Sequence, residues 1–196
     1  MSAGFQLVLA SGSPRRRELL SSLGLDFVVR PSDIDETPQD GETADALVQR
    51  LAEQKATHEI HRGEAVLAAD TVVVLGDQIL GKPDDRESAR AMLTALQGRQ
   101  HVVHTGIALA LGPDEAQRSS EVVTTKVKLA AMSDAEVDWY VTTGEPDDKA
   151  GSYAIQGQGA LFVETIEGNY TNVVGLPIPN VYQLFRRAGL DLRRAR

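Results

Sequence analysis

Apolar and polar positions change their period along the chain, and the changes predict strands that alternate with helices. The runs FQLVLA (residues 5–10) and AVLAADTVVVL (residues 65–75) are almost continuously apolar and predict buried strands. Between them, residues 43–61 carry apolar side chains at helical spacing. This apolar stripe consists of Leu47, Val48, Leu51 and Ala52. The sequence GDQIL after the second run predicts a turn into a returning strand.

The second half of the chain repeats this mixture. Strands are predicted at residues 101–111, 120–131, 150–155 and 159–166, the first two separated by a turn at residues 112–117. Three helices are predicted: one at residues 85–97, one that begins after Ser133, and one near the C-terminus. Ser133 has capping-box spacing to Glu136. This order predicts an α/β fold with a mixed, twisted sheet flanked by helices and bent into two lobes. No shift in composition divides the chain, so we expect one domain over residues 1–196.

The stretch LASGSPRRRELL predicts a helix whose first turn is cationic. Ser13 has the position of an N-cap, Pro14 the first helical position, and Gly24 the stop. Its apolar side consists of Leu19, Leu20 and Leu23. Helix N-termini carry partial positive charge, so arginines at positions 15–17 are unfavourable unless an anion binds there. One interpretation is a phosphate held by the loop of residues 11–13 and one or two of these arginines; the other is a solvated basic face.

Charge and composition narrow the classes of function. The chain has 196 residues, a net charge of −8 and no cysteine, which excludes disulfides and thiolate metal sites. An acidic chain without a basic stripe argues against a general nucleic-acid binder. No stretch approaches the ~18 apolar residues that a membrane span needs. We therefore expect a soluble, cytoplasmic protein that binds neither nucleic acid nor membranes.

Three charged residues are notable for their surroundings. Asp70 interrupts an apolar run, which predicts a general base or a metal ligand; a carboxylate that caps a turn between two strands is the alternative. Lys55 follows Leu51 by four residues and is expected to point toward the interior or a cleft, unless it snorkels to solvent. Lys82 in the sequence GKP is a candidate phosphate ligand, although proline stands where a P-loop requires Ser or Thr.

Seven motifs occur in an order and at separations that resemble one known family. They are LASGSPRRRELL, IDE, RLAEQKA, AADTVV, GKP, DKAGSYAIQG and VVGLP. Together they cover the chain from about Leu7 to Pro177 and are similar to the Maf family of nucleoside triphosphate pyrophosphatases. Arg15, Thr71 and Gln156 resemble the branch that hydrolyses dTTP and UTP, with modified pyrimidine nucleotides as further candidate substrates.

The resemblance implies an activity and a set of site residues. It implies hydrolysis to a nucleoside monophosphate and pyrophosphate, with Asp70 as the catalytic acid/base. The implied substrate-binding residues are Ser11, Arg15, Arg16, Lys55, Thr71, Lys82 and Gln156. The implied ligands of Mg²⁺ or Mn²⁺ are Glu36, Asp70 and Asp148. It also implies a homodimer and a fold similar to inosine triphosphate pyrophosphatases, with a central cleft between two lobes. A non-catalytic nucleotide-binding regulator of septum formation and cell division is the alternative, since the family name has also carried that role.

Gln156 has a chemical rationale as the residue that reads the base. A thymine or uracil edge presents acceptors on either side of an N–H donor, and a carboxamide can both donate and accept. SYAIQGQG is expected to place this side chain at a strand end beside Gly157 and Gly159. The alternative is that Gln156 only satisfies backbone groups in the turn.

Overall fold

The computed structural model describes residues 5–112 and 118–195. The chain forms two compact units. Unit 1 comprises Met1–Asp70, Thr105–Val123 and Gly175–Arg196, and unit 2 comprises Thr71–His104 and Thr124–Val174. That the two act as one domain stays a prediction. Within the described ranges, no helix is both long and apolar enough to cross a membrane.

A mixed sheet of seven strands contains most of the extended backbone that the structure describes. Its strands are β1 (Gln6–Leu9), β2 (Val28–Val29), β3 (Glu64–Leu75), β4 (Gln78–Leu80), β5 (Gln100–Leu111), β6 (Arg118–Leu129) and β7 (Val163–Glu167). The order is β2-β1-β3-β5-β6-β7, and β4 pairs with β3. Strand β1 runs parallel to β2 and β3, whereas the β3–β4 and β6–β7 pairs are antiparallel. The predicted mixed α/β fold is confirmed.

Six α-helices accompany the described part of this sheet. They are α1 (Pro14–Ser22), α2 (Ala44–Thr57), α3 (Arg86–Leu96), α4 (Asp134–Thr142), α5 (Tyr170–Val174) and α6 (Ile178–Arg187). The predicted capping box is present at the start of α4, where Ser133 and Glu136 each accept a backbone N–H bond from the other. Ser13 is the N-cap of α1, but its side chain makes no cap hydrogen bond.

In unit 1 both faces of the sheet are covered. Leu7 and Leu9 of β1 contribute to a cluster that includes residues of α1 and α6, whereas the alternate residue Val8 packs in a cluster with Ala52 and Ala56 of α2. Strands buried on both faces read as continuous apolar runs, as the sequence shows. A Cβ on Gly106 of β5 would lie 2.2 Å from the carbonyl oxygen of Val48, so glycine there permits the close approach of α2.

Unit 2 has its own apolar core. It joins residues of α3 and α4 to the parts of β3, β5 and β6 that belong to this unit, with Leu93, Leu96 and Tyr140 almost wholly buried. Three short 3-10 helices follow α4, at Glu145–Asp148, Ala150–Ser152 and Gly157–Phe162. The segment that carries Gln156 lies among them.

Several predicted elements differ from the structure. Residues 150–155 are not a strand: Gly151 and Ser152 have φ angles of +69° and +59°, which extended backbone does not allow. Residues 159–166 form a strand only from Val163. The predicted turn at 112–117 lies outside the described residues from 113 onward. Leu23, expected on the apolar side of α1, is 46% exposed, and β2 and α5 were not predicted.

Candidate active site

Asp70 lies inside a strand and not at a turn. Strand β3 continues unbroken from Glu64 to Leu75, so the turn-cap alternative is wrong. The residue is 8% exposed, and the two alanines before it are fully buried. A carboxylate in such surroundings needs a charged or hydrogen-bonding partner. That partner is Lys55, whose Nζ donates to Asp70 Oδ1 at 2.7 Å.

Lys55 bridges two of the predicted site carboxylates. Helix α2 buries its stripe on the sheet, and Lys55 shares that side and is 7% exposed, so the prediction of an inward-pointing lysine is confirmed. Its Nζ lies 2.7 Å from Asp70 Oδ1 and 2.7 Å from Glu36 Oε1. Glu36 is half exposed and comes from the acidic loop before α2. Strand, helix and loop of unit 1 thus meet at one ammonium group.

Arg16 joins separate parts of unit 1. Its Nε donates to the carbonyl oxygen of Gly175 at 2.8 Å, and its Nη1 donates to the Ala69 carbonyl at 2.7 Å and to Ser11 Oγ at 3.1 Å. Ser11 Oγ also accepts from the Ser13 N–H at 3.2 Å, which fixes the loop before α1. Burial lowers the pKa of the Arg16 guanidinium, and the Asp70 carboxylate opposes that effect. Arg16 therefore stabilises the protein in addition to the substrate role that the motif implies.

The three arginines of α1 differ in exposure. Arg15 and Arg16 are half-buried, whereas Arg17 is exposed. This difference agrees with the expectation that one or two of the three face a ligand. The loop that precedes them contains Ser11, which is 7% exposed and lies two residues after the end of β1.

The remaining predicted residues belong to unit 2, and none of them is buried. Thr71 follows Asp70 in β3 and is half-buried. Lys82 is exposed and follows β4, where the carbonyl of Gly81 accepts from the Gly151 N–H at 3.0 Å. Asp148 is exposed and pairs with Lys149 at 2.7 Å.

Gln156 is exposed and precedes a 3-10 helix, so the expectation of a strand end is wrong. Its backbone is extended, with φ −104° and ψ 172°. Neither the side-chain amide of Gln156 nor the ammonium group of Lys82 has a hydrogen bond or ion pair to any residue that the structure describes. The alternative in which Gln156 serves backbone groups of its own turn receives no support from this arrangement.

Two of the three predicted metal ligands, Glu36 and Asp70, supply carboxylate oxygens in unit 1, and the third, Asp148, lies in unit 2. No group of three or more His, Asp or Glu side chains within the described ranges has the geometry to hold a metal ion. Glu36 and Asp70 nevertheless meet at the same ammonium group. Mg²⁺ is usually bound through one or two carboxylates, with waters and substrate phosphates as its other ligands. These two residues fit that donor set.

Two residues of unit 2 were missed by sequence reasoning. Glu145 accepts hydrogen bonds from the backbone of Gln158 and Gly159, and from the hydroxyl of Tyr140. The only sequence signal is the glycine-rich stretch AIQGQG, whose backbone N–H groups need acceptors that no neighbouring strand supplies. A signal of this kind does not say which residue is the acceptor.

Comparison with known proteins assigns the chain to a family over most of its length. The family model described as Maf-like protein matches residues 6–188. A dTTP/UTP pyrophosphatase of Myxococcus xanthus is 54% identical over 189 residues, which are 95% of this chain and 94% of the relative. A dTTP/UTP pyrophosphatase of Syntrophus aciditrophicus is 46% identical over 186 residues, covering 94% of this chain and 90% of that protein.

Solved structures show a more distant likeness. A nucleoside-triphosphatase/dITP/XTP pyrophosphatase of Mycobacterium abscessus aligns with a TM-score of 0.41 and 18% identity, over 65% of this chain and 76% of that one. A HAM1 protein of Coxiella burnetii aligns with a TM-score of 0.42 and 19% identity, over 65% and 74% of the two chains.

Proposed function

The chain belongs to the Maf family, and from that premise we propose that it is a nucleoside triphosphate pyrophosphatase that hydrolyses dTTP and UTP. The products are the nucleoside monophosphate and pyrophosphate. Relatives named dTTP/UTP pyrophosphatase match it at about half identity over nearly their full length. The observation that carries the proposal is the buried Asp70 carboxylate held 2.7 Å from the Lys55 ammonium. A binding module has no need of such a group, whereas a hydrolase needs a positioned base.

The proposed reaction is attack of water on the α-phosphorus. Asp70 accepts a proton from the water while the water oxygen forms a bond to the α-phosphorus. The bond between the α-phosphorus and the oxygen that bridges it to the β-phosphorus breaks. The bridging oxygen leaves with the pyrophosphate. The ion pair with Lys55 holds Asp70 in one position, and proximity of this kind lowers the entropic part of the barrier.

Cationic groups counter the charge that gathers on the leaving pyrophosphate. In unit 1 these are Lys55, Arg15 and Arg16, the last fixed by its bonds to Ser11, Ala69 and Gly175. For Lys82 of unit 2 the assignment rests on the family motif and on an ammonium group without an ion pair among the described residues.

We further propose that a divalent ion takes part. Glu36 and Asp70, together with Asp148 as the motif implies, would hold Mg²⁺ or Mn²⁺, which when bound polarises phosphoryl oxygens. The residues of the chain perform the other steps. Glu36 also shares Lys55 with Asp70, so loss of Glu36 changes the position of the ammonium group as well as the metal site.

Selection of the pyrimidine nucleobase is assigned to Gln156. Arg15 and Thr71 are the other residues that mark the dTTP/UTP branch of the family. The exposed amide of Gln156 has both a donor and an acceptor to offer the imide edge of thymine or uracil. We also infer that the protein acts in the cytoplasm, where nucleoside triphosphates are found, and that it forms a homodimer, which sedimentation at micromolar concentration tests.

The decisive experiment identifies the products. The purified chain is incubated with dTTP, UTP, CTP and GTP in the presence of Mg²⁺ or Mn²⁺, with an EDTA-treated sample and Asp70→Asn as controls. We expect monophosphate and pyrophosphate, faster from dTTP and UTP than from CTP and GTP. Diphosphate and orthophosphate would instead indicate a phosphatase. Tight nucleotide binding without turnover would favour the non-catalytic regulator.

A further inference from the structure

The backbone on both sides of Gln156 is bound to two side chains of unit 2. The Ala154 N–H donates to the hydroxyl of Tyr140 at 3.0 Å. The Gln158 N–H donates to Glu145 Oε2 at 3.0 Å, and the Gly159 N–H donates to Glu145 Oε1 at 2.8 Å. The backbone of Ala154, Gln158 and Gly159 is therefore fixed by hydrogen bonds, whereas the side-chain amide of Gln156 is not.

Tyr140 and Glu145 are also bound to each other. The Tyr140 hydroxyl donates to Glu145 Oε1 at 2.8 Å, so the two side chains form one continuous network with the loop. Tyr140 is fully buried in the last turn of α4 and packs edge-on against Phe162. Burial alone raises the pKa of the Glu145 carboxyl, but the bonds from Gln158, Gly159 and Tyr140 outweigh it and lower the pKa. The carboxylate thus stays ionised as a threefold acceptor.

The loop fits so closely around these two side chains that two of its positions require glycine. A Cβ on Gly157, whose φ is +64°, would lie 2.4 Å from Glu145 Oε2. A Cβ on Gly159 would lie 2.5 Å from the Tyr140 hydroxyl and 2.3 Å from the Ala154 carbonyl oxygen. A side chain at Gly157 would have to displace the Glu145 carboxylate, and one at Gly159 would have to displace backbone as well as the Tyr140 hydroxyl. Residues 154–159 are therefore packed closely against Glu145 and Tyr140.

We propose that Glu145, fixed by Tyr140, is a positioning residue for recognition of the pyrimidine base through Gln156. The inference rests on the proposed function of Gln156. Since the side-chain amide of Gln156 has no hydrogen-bond partner among the described residues, its position depends on the backbone that carries it. Without the Glu145 acceptors, residues 157–159 lose the bonds that fix this backbone. Base recognition then weakens while the residues of unit 1 are unchanged.

A double-mutant cycle tests the proposal. Glu145→Gln keeps the size of the side chain but replaces one acceptor oxygen with an NH₂ group that faces a backbone donor. We expect Glu145→Gln and Gln156→Ala each to lower kcat/KM for dTTP about tenfold, mainly through KM, and the double variant to lose no more than about tenfold. Multiplication of the two losses to about a hundredfold would overturn the proposal, because Glu145 would then act independently of Gln156.

A second variant and a direct measurement guard against simple misfolding. Tyr140→Phe removes the hydroxyl and keeps the ring, and should show the same coupling to Gln156→Ala. Hydrogen exchange at the Gln158 and Gly159 amides should accelerate at least about tenfold in Glu145→Gln. Matched controls are Glu164→Gln on β7 and Tyr170→Phe, a tyrosine without a hydrogen bond in the described part of the chain.

The two proposals fail in distinguishable ways. Absence of nucleotide hydrolysis by the unmodified chain would refute the proposed function. Normal hydrolysis with unchanged amide exchange in Glu145→Gln, or with additive losses in the double variant, would refute the role of Glu145 alone.

Discussion

The predicted site residues of the two units are organised by different kinds of contact. In unit 1, charged side chains contact each other: Lys55 lies 2.7 Å from both Asp70 and Glu36. In unit 2, the side chains of Lys82 and Gln156 have no such partner within the described residues, and the backbone around Gln156 is held instead. On the proposed function, the charges of unit 1 are fixed before substrate arrives, whereas the side chains of Lys82 and Gln156 stay available for substrate.

Burial explains this difference. Asp70 and Lys55 are each less than one-tenth exposed, and a buried charge without a partner is strongly destabilising. Lys82 and Gln156 are exposed, so solvent is available to their polar groups and no partner within the protein is required. Substitution of Asp70 or Lys55 should therefore affect both catalysis and stability, whereas substitution of Lys82 or Gln156 should affect substrate handling alone.

Asp70→Asn should have the largest effect. It keeps the shape of the side chain but removes the base, and loss of a positioned general base costs roughly 10²- to 10⁴-fold in rate. We expect kcat to fall by that range for every nucleotide, measured as pyrophosphate release. Asp77→Asn, in the exposed turn before β4, is the matched control and should retain wild-type activity. Near-normal turnover by Asp70→Asn would assign the base elsewhere, with Glu36 and Asp148 next.

Lys55→Met in unit 1 and Lys82→Met in unit 2 should have similar effects on activity but different effects on stability. Both should lower kcat/KM by a similar factor on every nucleotide, since they act on the triphosphate that all substrates share. Only Lys55→Met leaves a buried carboxylate unpaired, so its free energy of unfolding should fall by about 3 kcal/mol. Lys82→Met should stay within about 0.5 kcal/mol of wild type in urea unfolding. Equal destabilisation by both, or a loss confined to one base, would contradict this division.

Gln156→Glu tests recognition of the base. A carboxylate accepts but does not donate, so one partner on thymine or uracil is left unmatched. We expect kcat/KM for dTTP and UTP to fall by about 1–3 kcal/mol in transition-state terms, with CTP and GTP less affected. Gln78→Glu on β4 is a control for the added charge. An equal loss on all four nucleotides, or no loss on any, would remove Gln156 from base recognition.

The sequence predicts unit 1 better than the glycine-rich part of unit 2. The stripe of α2 and the apolar run of β3 follow regular periods, and an inward Lys55 and a buried Asp70 are direct consequences of those periods. Residues 150–155 are also mostly apolar, but they form 3-10 and irregular backbone with positive φ at Gly151 and Ser152. Short apolar runs do not distinguish a strand from such a segment.

The sequence also does not predict contacts between residues that are far apart in the chain. The family motifs indicate Gln156 but contain no information on what fixes its loop. Glu145 lies 13 and 14 residues from the amides it accepts, and side-chain acceptors for loop backbone follow no period. Likewise, the family motif implies a substrate-binding role for Arg16, and the structure shows in addition its bonds to the Ala69 and Gly175 carbonyls, which the motif does not predict.

Acidification should sharpen the contrast between the units, because the stability contributed by their titratable groups is lost in different ranges of pH. In unit 1, hydrogen bonds from Arg50 and Arg30 lower the pKa of Glu42 and Glu64, respectively, to about 2. Their contribution is present above the usual carboxylate pKa and is lost only as the pH falls toward 2. In unit 2, burial lowers the pKa of His101 to about 4.

The smallest predicted effect is therefore a loss of stability near neutral pH that depends on His101. This histidine is 2% exposed, and its Nε2 lies 2.7 Å from the Tyr153 hydroxyl. The folded state binds fewer protons than the unfolded state, in which a histidine titrates near 6.5, so stability is complete above pH 6.5 and declines as the pH falls toward 4. Between pH 7 and pH 5.5 the decline should be about 1 kcal/mol by urea unfolding. His101→Gln should abolish most of it, and His104→Gln, a half-buried histidine of the same strand, should not. If wild type and His101→Gln lose the same stability over this range, the neutral buried histidine is not the source of the decline.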